Sequence, residues 1–212
     1  MADLPDGVGA LRGYFLRDGW DERDQWEFLL FCVLSPRATY QSSMKGAQNL
    51  VARFWDDLGM HLVNSEEDIR ACLSGTRFPF EFSRRIVRLM RELVSEPRLS
   101  AIERPRDWWA GLPGLGLKTA SLFLAYTRPE ITPMPVALDV HVLRWLQDQG
   151  IAVPEEHKRV YDSRRIYLAL EEAFRRRAER LQRDPLQLHC EVWEAGYWTA
   201  RKRGKRGSKV VT

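Results

Sequence analysis

The sequence predicts an all-α protein, and three observations support this fold class. Apolar residues recur at helical spacing, as at Met44, Ala47 and Leu50 and again at Val51 and Phe54, which marks one face of a helix. The alternation of apolar and polar residues that is typical of strands is scarce. Glycine and proline fall at intervals that suit short turns between helices.

Each predicted helix begins or ends at a local signal. The acidic run at 21–24 suits a helix start, because carboxylates stabilise helix N-termini, and Ser35-Pro36 ends the same helix. Ser65-Glu66-Glu67-Asp68 resembles a capped start, and Pro97 follows the fourth helix. The predicted helices are 21–34, 44–54, 65–75, 82–93, 106–110, 117–126, 137–149, 163–183 and 185–199.

Composition indicates a globular protein. The 212 residues are 44% hydrophobic and 29% charged, which are ordinary values for a folded chain. No stretch approaches the ~18 consecutive apolar residues that a membrane span needs. The N-terminal segment at 1–6 lacks the basic start and apolar run of a signal peptide. We therefore expect a cytoplasmic protein, associated with the nucleoid if its source is prokaryotic.

The three cysteines exclude several kinds of site. Cys32, Cys72 and Cys190 are widely spaced and odd in number, so they form no disulfide framework, and no CxxC pair is present to hold zinc. A cluster held by four thiolates within one chain is excluded as well. We expect no metal and no organic cofactor.

The net charge of +4 is concentrated at the C-terminus. Residues 201–212 contain six basic and no acidic residues, which leaves 27 basic and 29 acidic residues among the first 200. A basic tail binds phosphate without sequence preference, but it is also compatible with a solvated terminus. Charge alone leaves nucleic-acid binding open.

A glycine-rich turn lies between two of the predicted helices. The string at 112–120 reads LPGLGLKTA, and the glycines at 114 and 116 allow a tight bend that exposes backbone amides. Such amides at a helix N-terminus suit a phosphate oxygen and carry no base specificity. We predict that Gly114, Gly116 and Leu117 bind a phosphate backbone. A plain turn between packed helices is the alternative.

This string resembles the hairpin of the helix-hairpin-helix (HhH-GPD) DNA glycosylases, which include endonuclease III and the 8-oxoguanine glycosylases. The proline-rich loop at 128–135 and the Asp139-Val140-His141-Val142-Leu143-Arg144 run are similar to the rest of that pattern. Segments at 77–87, 163–168 and 188–193 are similar to the archaeal-type 8-oxoguanine DNA glycosylase/AP lyase family. The absence of four C-terminal cluster cysteines agrees with that branch.

The resemblance implies a two-lobed fold with the active site in the cleft between the lobes and no iron–sulfur cluster. It implies a helical barrel lobe at 25–130 that ends in the hairpin. It also implies a second helical lobe that combines 1–24 with 131–200, followed by a basic tail at 201–212. We expect the protein to act as a monomer.

The same resemblance assigns the catalytic residues Lys118 and Asp139. A neutral primary amine can displace a damaged base at the anomeric carbon and form a Schiff base, after which β-elimination cleaves the strand. Burial in a cleft disfavours the ammonium form and would favour this reaction. The Asp139 carboxylate would orient the amine and stabilise positive charge on the sugar. Taken singly, the lysine is compatible with a solvated charge and the aspartate with a helix N-cap.

The predicted partner is double-stranded DNA that contains oxidised guanine, and the target base must leave the duplex to reach Lys118. The resemblance suggests Trp193 for stacking on the extruded base and Phe78 for contacting the opened pair, with core packing as the alternative for both. In the archaeal-type relatives a terminal lysine helps to form the base pocket, whereas this chain continues past Lys202 and Lys205. A glycosylase for another oxidised base and a non-catalytic DNA-binding module therefore stay open.

Overall fold

The computed structural model describes residues 10–17, 19–36, 38–55, 66–96 and 98–207, without the side chains of 10–12, 100 and 200–207. All regular secondary structure in these ranges is helical, which confirms the predicted all-α class. Within the same ranges no helix is both long enough and apolar enough to span a membrane.

The described helices, in chain order, are α1 (Ala10–Phe15), α2 (Glu22–Leu34), α3 (Tyr40–Phe54), α4 (Glu66–Cys72), α5 (Pro79–Leu93), a 3₁₀ turn at Leu99–Ala101, α6 (Arg106–Gly111), α7 (Leu117–Thr127), α8 (Val140–Asp148), α9 (Lys158–Asp162), α10 (Arg164–Arg180) and α11 (Pro185–Gly207).

The chain divides into two compact units. The hairpin unit is Gly19–Thr127, and the terminal unit joins Met1–Asp18 to Arg128–Thr212. Sequence analysis places the corresponding boundaries at 25 and 130. The terminal unit is thus built from both ends of the chain.

Helix α2 forms the centre of the hairpin unit. Its residues from Phe28 to Leu34 are all buried, as expected for a helix that is apolar on every side, and α3, α5 and α7 pack around it. Aromatic rings continue this core into the hairpin. Phe28 lies 6.3 Å from Phe123 between ring centroids, and Phe123 lies 5.0 Å from Trp109. The hairpin therefore rests on the most buried helix of its unit.

Local capping explains where the helices of the hairpin unit begin. The Asp21 carboxylate accepts the N–H of Asp24 at 2.7 Å, which confirms the start predicted from the acidic run. Thr39 caps α3 through the N–H of Ser42, and Pro79 occupies the first turn of α5, where its missing N–H costs nothing. The predicted cap at Ser65 lies outside the described residues.

The terminal unit is held together by its long last helix, α11. Helices α1, α8 and α10 all pack against it, and α9 packs against α10. The core includes Phe174, which is fully buried, and Tyr167, which is 1% exposed. At the other end of the chain, the ring of Phe15 meets the ring of Trp193 edge-on at 5.5 Å.

Three helix boundaries in the terminal unit differ from the prediction. Helix α8 begins at Val140 and not at residue 137, because Ala137 and Leu138 are non-helical and their backbone groups bond to side chains of other helices. Helix α10 ends at Arg180, and Gln182 follows in a left-handed conformation with a φ of 53°. Helix α11 continues past the predicted end at 199 to Gly207, because arginine and lysine are good helix formers. Part of the predicted basic tail is therefore helical.

Helices α1 and α9 were not among the predicted elements. They contain six and five residues, which is too short for a periodic apolar pattern to stand out.

Candidate active site

The glycine-rich string forms a helical hairpin in which a tight turn joins α6 to α7. The N–H of Leu115 donates to the carbonyl of Leu112 at 3.0 Å, which closes the turn. The guanidinium of Arg106 donates to the hydroxyl of Ser121 at 3.3 Å, which links the two helices. The hairpin is thus a defined unit of backbone and side-chain hydrogen bonds.

The two glycines of the turn differ in backbone conformation and in the space around them. Gly114 has a φ of +84°, a left-handed conformation that favours glycine, and it lies against Val33 of α2 and Arg85 of α5. Gly116 has no such φ, and a Cβ atom there would meet no heavy atom within 4 Å among the described residues. The backbone conformation therefore explains Gly114 but not Gly116. A glycine in open space keeps the backbone accessible to an approaching group.

The amides at the start of α7 are available to such a group. The first intrahelical bond of α7 runs from the N–H of Ala120 to the carbonyl of Gly116 at 2.9 Å. The N–H groups of Leu117, Lys118 and Thr119 precede it, and the first amides of a helix have no intrahelical partner. Glycine at the cap position offers no side chain to satisfy them. This arrangement suits an oxygen of a phosphate.

Lys118 lies in the first turn of α7 and is half-buried. Among the described residues its side chain has no hydrogen bond and no ion pair. Burial raises the pKa of the Cys32 thiol well above its usual range, and the positive charge of Lys118 opposes that rise. The amine therefore lies close enough to α2 for its charge to act on Cys32.

Asp139 is the N-cap of α8. One carboxylate oxygen, Oδ1, accepts the N–H groups of His141 and Val142, both at 2.9 Å. Asp139 therefore has the N-cap role that sequence analysis gave as its structural alternative. The second oxygen, Oδ2, accepts no hydrogen bond from the part of the chain that the structure describes. Asp139 is thus held by one oxygen and can offer the other.

The non-helical segment 136–138 leads into Asp139, and four side chains bind its backbone. The N–H of Val136 donates to Glu171 at 2.7 Å, and the hydroxyl of Tyr167 donates to the carbonyl of Val136 at 2.7 Å. The same hydroxyl accepts the N–H of Leu138 at 3.2 Å. The hydroxyl of Tyr161 donates to the carbonyl of Leu138 at 3.0 Å, and Nε2 of His189 lies 3.0 Å from the carbonyl of Ala137.

Two of these side chains have shifted pKa values. Partial burial and then the nearby Asp139 carboxylate raise the pKa of Tyr161 to about 12, so its hydroxyl keeps its proton. Burial lowers the pKa of His189, although the Ala137 carbonyl and Asp139 oppose that change. A neutral His189 donates to Ala137 only if Nε2 carries the proton. The structure thus assigns the tautomer.

The two predicted base-recognition residues lie in different units. Trp193 is in the terminal unit on α11, half-buried, with its ring stacked on Tyr197 at 5.7 Å and an interplanar angle of 17°. Phe78 is in the hairpin unit at the N-cap of α5, half-buried, and its ring meets that of Phe82 edge-on at 6.2 Å. The guanidinium of Arg77 lies over the Phe78 ring at 5.3 Å. Both aromatic residues pack on neighbours while part of each stays exposed.

Sequence reasoning missed the residues that surround segment 136–138. Sequence analysis gave no individual role to Tyr161, Tyr167, Glu171 or His189. The available signal was a glutamate on the apolar face of α10, where Glu171 is 1% exposed. Among the described residues no group of three His, Cys, Asp or Glu side chains is placed to hold a metal ion.

These features define a class of protein. A glycine hairpin that opens a lysine-bearing helix, an all-α fold and a capping aspartate at the start of a later helix belong to the helix-hairpin-helix glycosylases. Residues 14–183 match the family model described as 8-oxoguanine DNA glycosylase. The chain belongs to this 8-oxoguanine DNA glycosylase family. It is therefore a DNA glycosylase, and its partner is DNA.

Solved structures of glycosylases share the fold. The 8-oxoguanine glycosylase/lyase of Methanocaldococcus jannaschii, in complex with a 15mer DNA containing 8-oxoguanine, has a TM-score of 0.64 at 21% identity, covering 95% of this chain and 89% of that one. The 8-oxoguanine DNA glycosylase Tm1821 of Thermotoga maritima has a TM-score of 0.60 at 25% identity, covering 86% and 85%. The 3-methyladenine DNA glycosylase of Helicobacter pylori, bound to 1,N6-ethenoadenine, has a TM-score of 0.61 at 17% identity, covering 91% and 95%. No curated protein sequence matches the chain.

Proposed function

We propose that this protein excises 8-oxoguanine from duplex DNA with Lys118 as the nucleophile and then cleaves the strand at the abasic site. The observation that carries the proposal is the position of Lys118, half-buried in the first turn of the helix that the glycine hairpin opens. Family membership supplies the reaction class, and a lysine at this place supplies an amine for covalent catalysis.

The proposed reaction has two stages. The neutral amine of Lys118 attacks C1′ of the damaged nucleotide, the bond from C1′ to the base breaks, and the base leaves with the electron pair and takes up a proton. Opening of the sugar ring then gives a protonated Schiff base between Lys118 and C1′. Loss of a proton from C2′ and cleavage of the C3′–O bond release the 3′ phosphate, and water finally frees Lys118.

We assign Asp139 the role of stabilising the positive charge that develops on the sugar. Its carboxylate is fixed through Oδ1 by the amides of His141 and Val142. Oδ2 takes no part in the cap, yet its position is fixed because it belongs to the same carboxylate. A carboxylate held in this way is preorganised and loses little conformational freedom when substrate binds.

We assign the hairpin to the DNA backbone, with Gly114, Gly116 and Leu117 presenting amides to a phosphate oxygen. This contact positions the duplex and reads no sequence. The basic residues at 201–212 add a second contact of the same kind, although their side chains lie outside the described residues. Truncation after residue 200 is expected to weaken DNA binding and to reduce its dependence on salt.

We assign Trp193 to stacking on the extruded base and Phe78 to the opened base pair. Trp193 is stacked on Tyr197 and stays partly exposed, which supports a contact between its exposed part and the base. Phe78 lies on α5, whose Arg85 borders the hairpin glycine Gly114, which supports a place for it beside the bound duplex. We also propose that the protein is cytoplasmic and works as a monomer. Sedimentation with and without DNA would test the monomeric state.

Borohydride trapping tests the Schiff-base mechanism. Wild-type protein incubated with a duplex that carries one 8-oxoguanine should form a covalent adduct on reduction, and Lys118→Gln should form none. Lys45→Gln is the matched control, because Lys45 is an exposed lysine of the same unit on α3. An undiminished adduct with Lys118→Gln would show that another amine attacks, and no adduct with wild type would contradict the lysine mechanism.

A lesion panel tests the substrate. Duplexes with single 8-oxoguanine, oxidised pyrimidine, 3-methyladenine or ethenoadenine sites should show fastest excision for 8-oxoguanine. The panel includes the adenine lesions because the Helicobacter pylori relative in the comparison is a 3-methyladenine glycosylase bound to ethenoadenine. If another base were excised fastest, that base and not 8-oxoguanine would be the substrate. The proposed chemistry of Lys118 would be unaffected.

A further inference from the structure

A non-helical segment of the terminal unit immediately precedes Asp139. Within the described part of the chain, residues 136–138 have no strand to pair with, yet Val136, Ala137 and Leu138 are all buried. Buried backbone groups need partners, and one of them is local, because the carbonyl of Ala137 accepts the N–H of Asp139 at 3.0 Å. Side chains from three helices take the place of a neighbouring strand.

Tyr167 is the central member of this set. Its hydroxyl binds both sides of the segment, since it donates to the carbonyl of Val136 at 2.7 Å and accepts the N–H of Leu138 at 3.2 Å. The side chain is 1% exposed, so the ring is fixed by core packing and water does not compete for the hydroxyl. One atom therefore sets the position of two consecutive peptide planes before Asp139.

Glu171 lies one helical turn further along α10. It accepts the N–H of Val136 at 2.7 Å and pairs with Arg175 at 3.5 Å. Arg175 in turn donates to the carbonyl of Met134 at 2.9 Å. A glutamate that is 1% exposed is retained in a core only with such partners. The chain from Met134 to Leu138 is thus bound to one face of α10.

We propose that Tyr167 and Glu171 are positioning residues that hold the Asp139 carboxylate in its reactive place. The proposal rests on the role assigned to Asp139 above. The cap bonds of Asp139 to His141 and Val142 fix its orientation relative to α8. The bonds of Tyr167 and Glu171 fix the backbone that enters the cap. A shift of about 1 Å at a catalytic group can lower a rate by on the order of 100-fold.

Tyr167→Phe is the most direct test, because it removes the hydroxyl and keeps the ring. We expect the single-turnover rate of base excision to fall by on the order of 10- to 100-fold, with DNA affinity unchanged. The matched control is Ala178→Gly, a destabilising change at a buried position of the same helix whose side chain has no hydrogen-bonding group. An equal loss of rate in the control would overturn the proposal.

A double-mutant cycle separates positioning from general structure. If Tyr167 acts through Asp139, Tyr167→Phe should slow excision much less in an Asp139→Asn background than in wild type. Equal losses in both backgrounds would overturn the proposal. Glu171→Gln keeps an oxygen for the N–H of Val136 and should retain more of the rate than Glu171→Ala. Equal excision rates for Glu171→Gln and Glu171→Ala would contradict a role for the hydrogen bond between Val136 and Glu171.

Amide hydrogen exchange gives a readout that needs no DNA and no activity. The amides of Val136 and Leu138 should exchange faster in Tyr167→Phe than in wild type or in Ala178→Gly. Unchanged exchange would overturn the proposal whatever the rates. A wild-type protein that excises no base would instead contradict the proposed function, so the two failures are distinguishable.

Discussion

Helix α11 passes so close to His141 that residue 196 has room for no side chain. A Cβ atom at Gly196 would lie 2.7 Å from the Cβ of His141 and in still closer contact with its ring, a distance that Cβ atoms do not normally reach. The glycine therefore allows α11 to lie against α8 two residues after Asp139. The contact fixes the ring of His141 beside the capped helix start.

Gly196→Ala should displace the His141 ring or separate the two helices. We expect the free energy of unfolding to fall by about 1–3 kcal/mol, as for other overpacked sites, with weaker binding of lesion-containing DNA. Urea unfolding and fluorescence anisotropy measure the two effects. Gly75→Ala is the control, because no heavy atom of the described residues would lie within 4 Å of a Cβ atom at that position. A Gly196→Ala protein as stable as the control would contradict the close contact.

Alanine substitution should affect stability at one hairpin glycine and DNA binding at the other. Gly114→Ala forces an L side chain into a left-handed conformation and should cost about 1–2 kcal/mol of unfolding free energy. Gly116→Ala should leave stability nearly unchanged and weaken the binding of undamaged duplex DNA, because its methyl group obstructs the amides of α7. Thermal unfolding together with anisotropy separates the two. Unaltered DNA affinity in Gly116→Ala would exclude the turn as a phosphate site.

Asp139→Asn separates the two roles of this residue. Asparagine caps helices about as well as aspartate, so we expect unfolding free energy to change by less than about 1 kcal/mol. Excision should nevertheless fall by on the order of 100-fold or more, because the negative charge is lost. Asp139→Ala should lose both the cap and the rate. If Asp139→Asn lowered DNA affinity as much as it lowered the rate, the residue would be structural.

His189 should make the stability of the protein sensitive to acid. Because burial holds its folded pKa below the unfolded value, the unfolded chain binds the proton more readily. The contribution of His189 to stability is therefore complete above the unfolded pKa of about 6.5 and is lost as the pH falls below it. The melting temperature of His189→Gln should fall less than that of wild type between about pH 7.5 and about pH 5.5.

His157→Gln controls for the loss of a histidine from the same unit. Parallel curves for wild type and His189→Gln would show that the protonation of His189 is not linked to folding. Glutamine can still donate to the Ala137 carbonyl, so the variant changes the titration without removing the hydrogen bond.

The helices and the hairpin were predictable because their signals are local. The acidic run that begins at Asp21 and the glycine turn each act within a few residues of themselves, and Lys118 and Asp139 were named from two short strings that resemble a known family. Helix ends were less predictable, as the extension of α11 to Gly207 shows, since basic residues suit both a helix and a solvated tail.

The support around Asp139 was not predictable from the sequence alone. Tyr167, Glu171 and His189 lie far along the chain from segment 136–138, and each bonds a backbone atom. Backbone atoms carry no sequence signature, so no motif pairs these residues with the segment. For the same reason the prediction began α8 at residue 137, because an alanine and a leucine before an aspartate look helical until their long-range partners are known.

The contact between Phe15 and Trp193 joins the two ends of the chain, and it has a consequence for synthesis. A ribosome completes Gly19–Thr127, with Lys118 on its last helix, long before it produces α11. The aromatic ring of Phe15 must therefore wait for its partner until α11 has been made. We expect nascent chains to assemble the lysine-bearing unit first and the aspartate-bearing unit only after α11 has been made, so that Lys118 and Asp139 become ordered at different times.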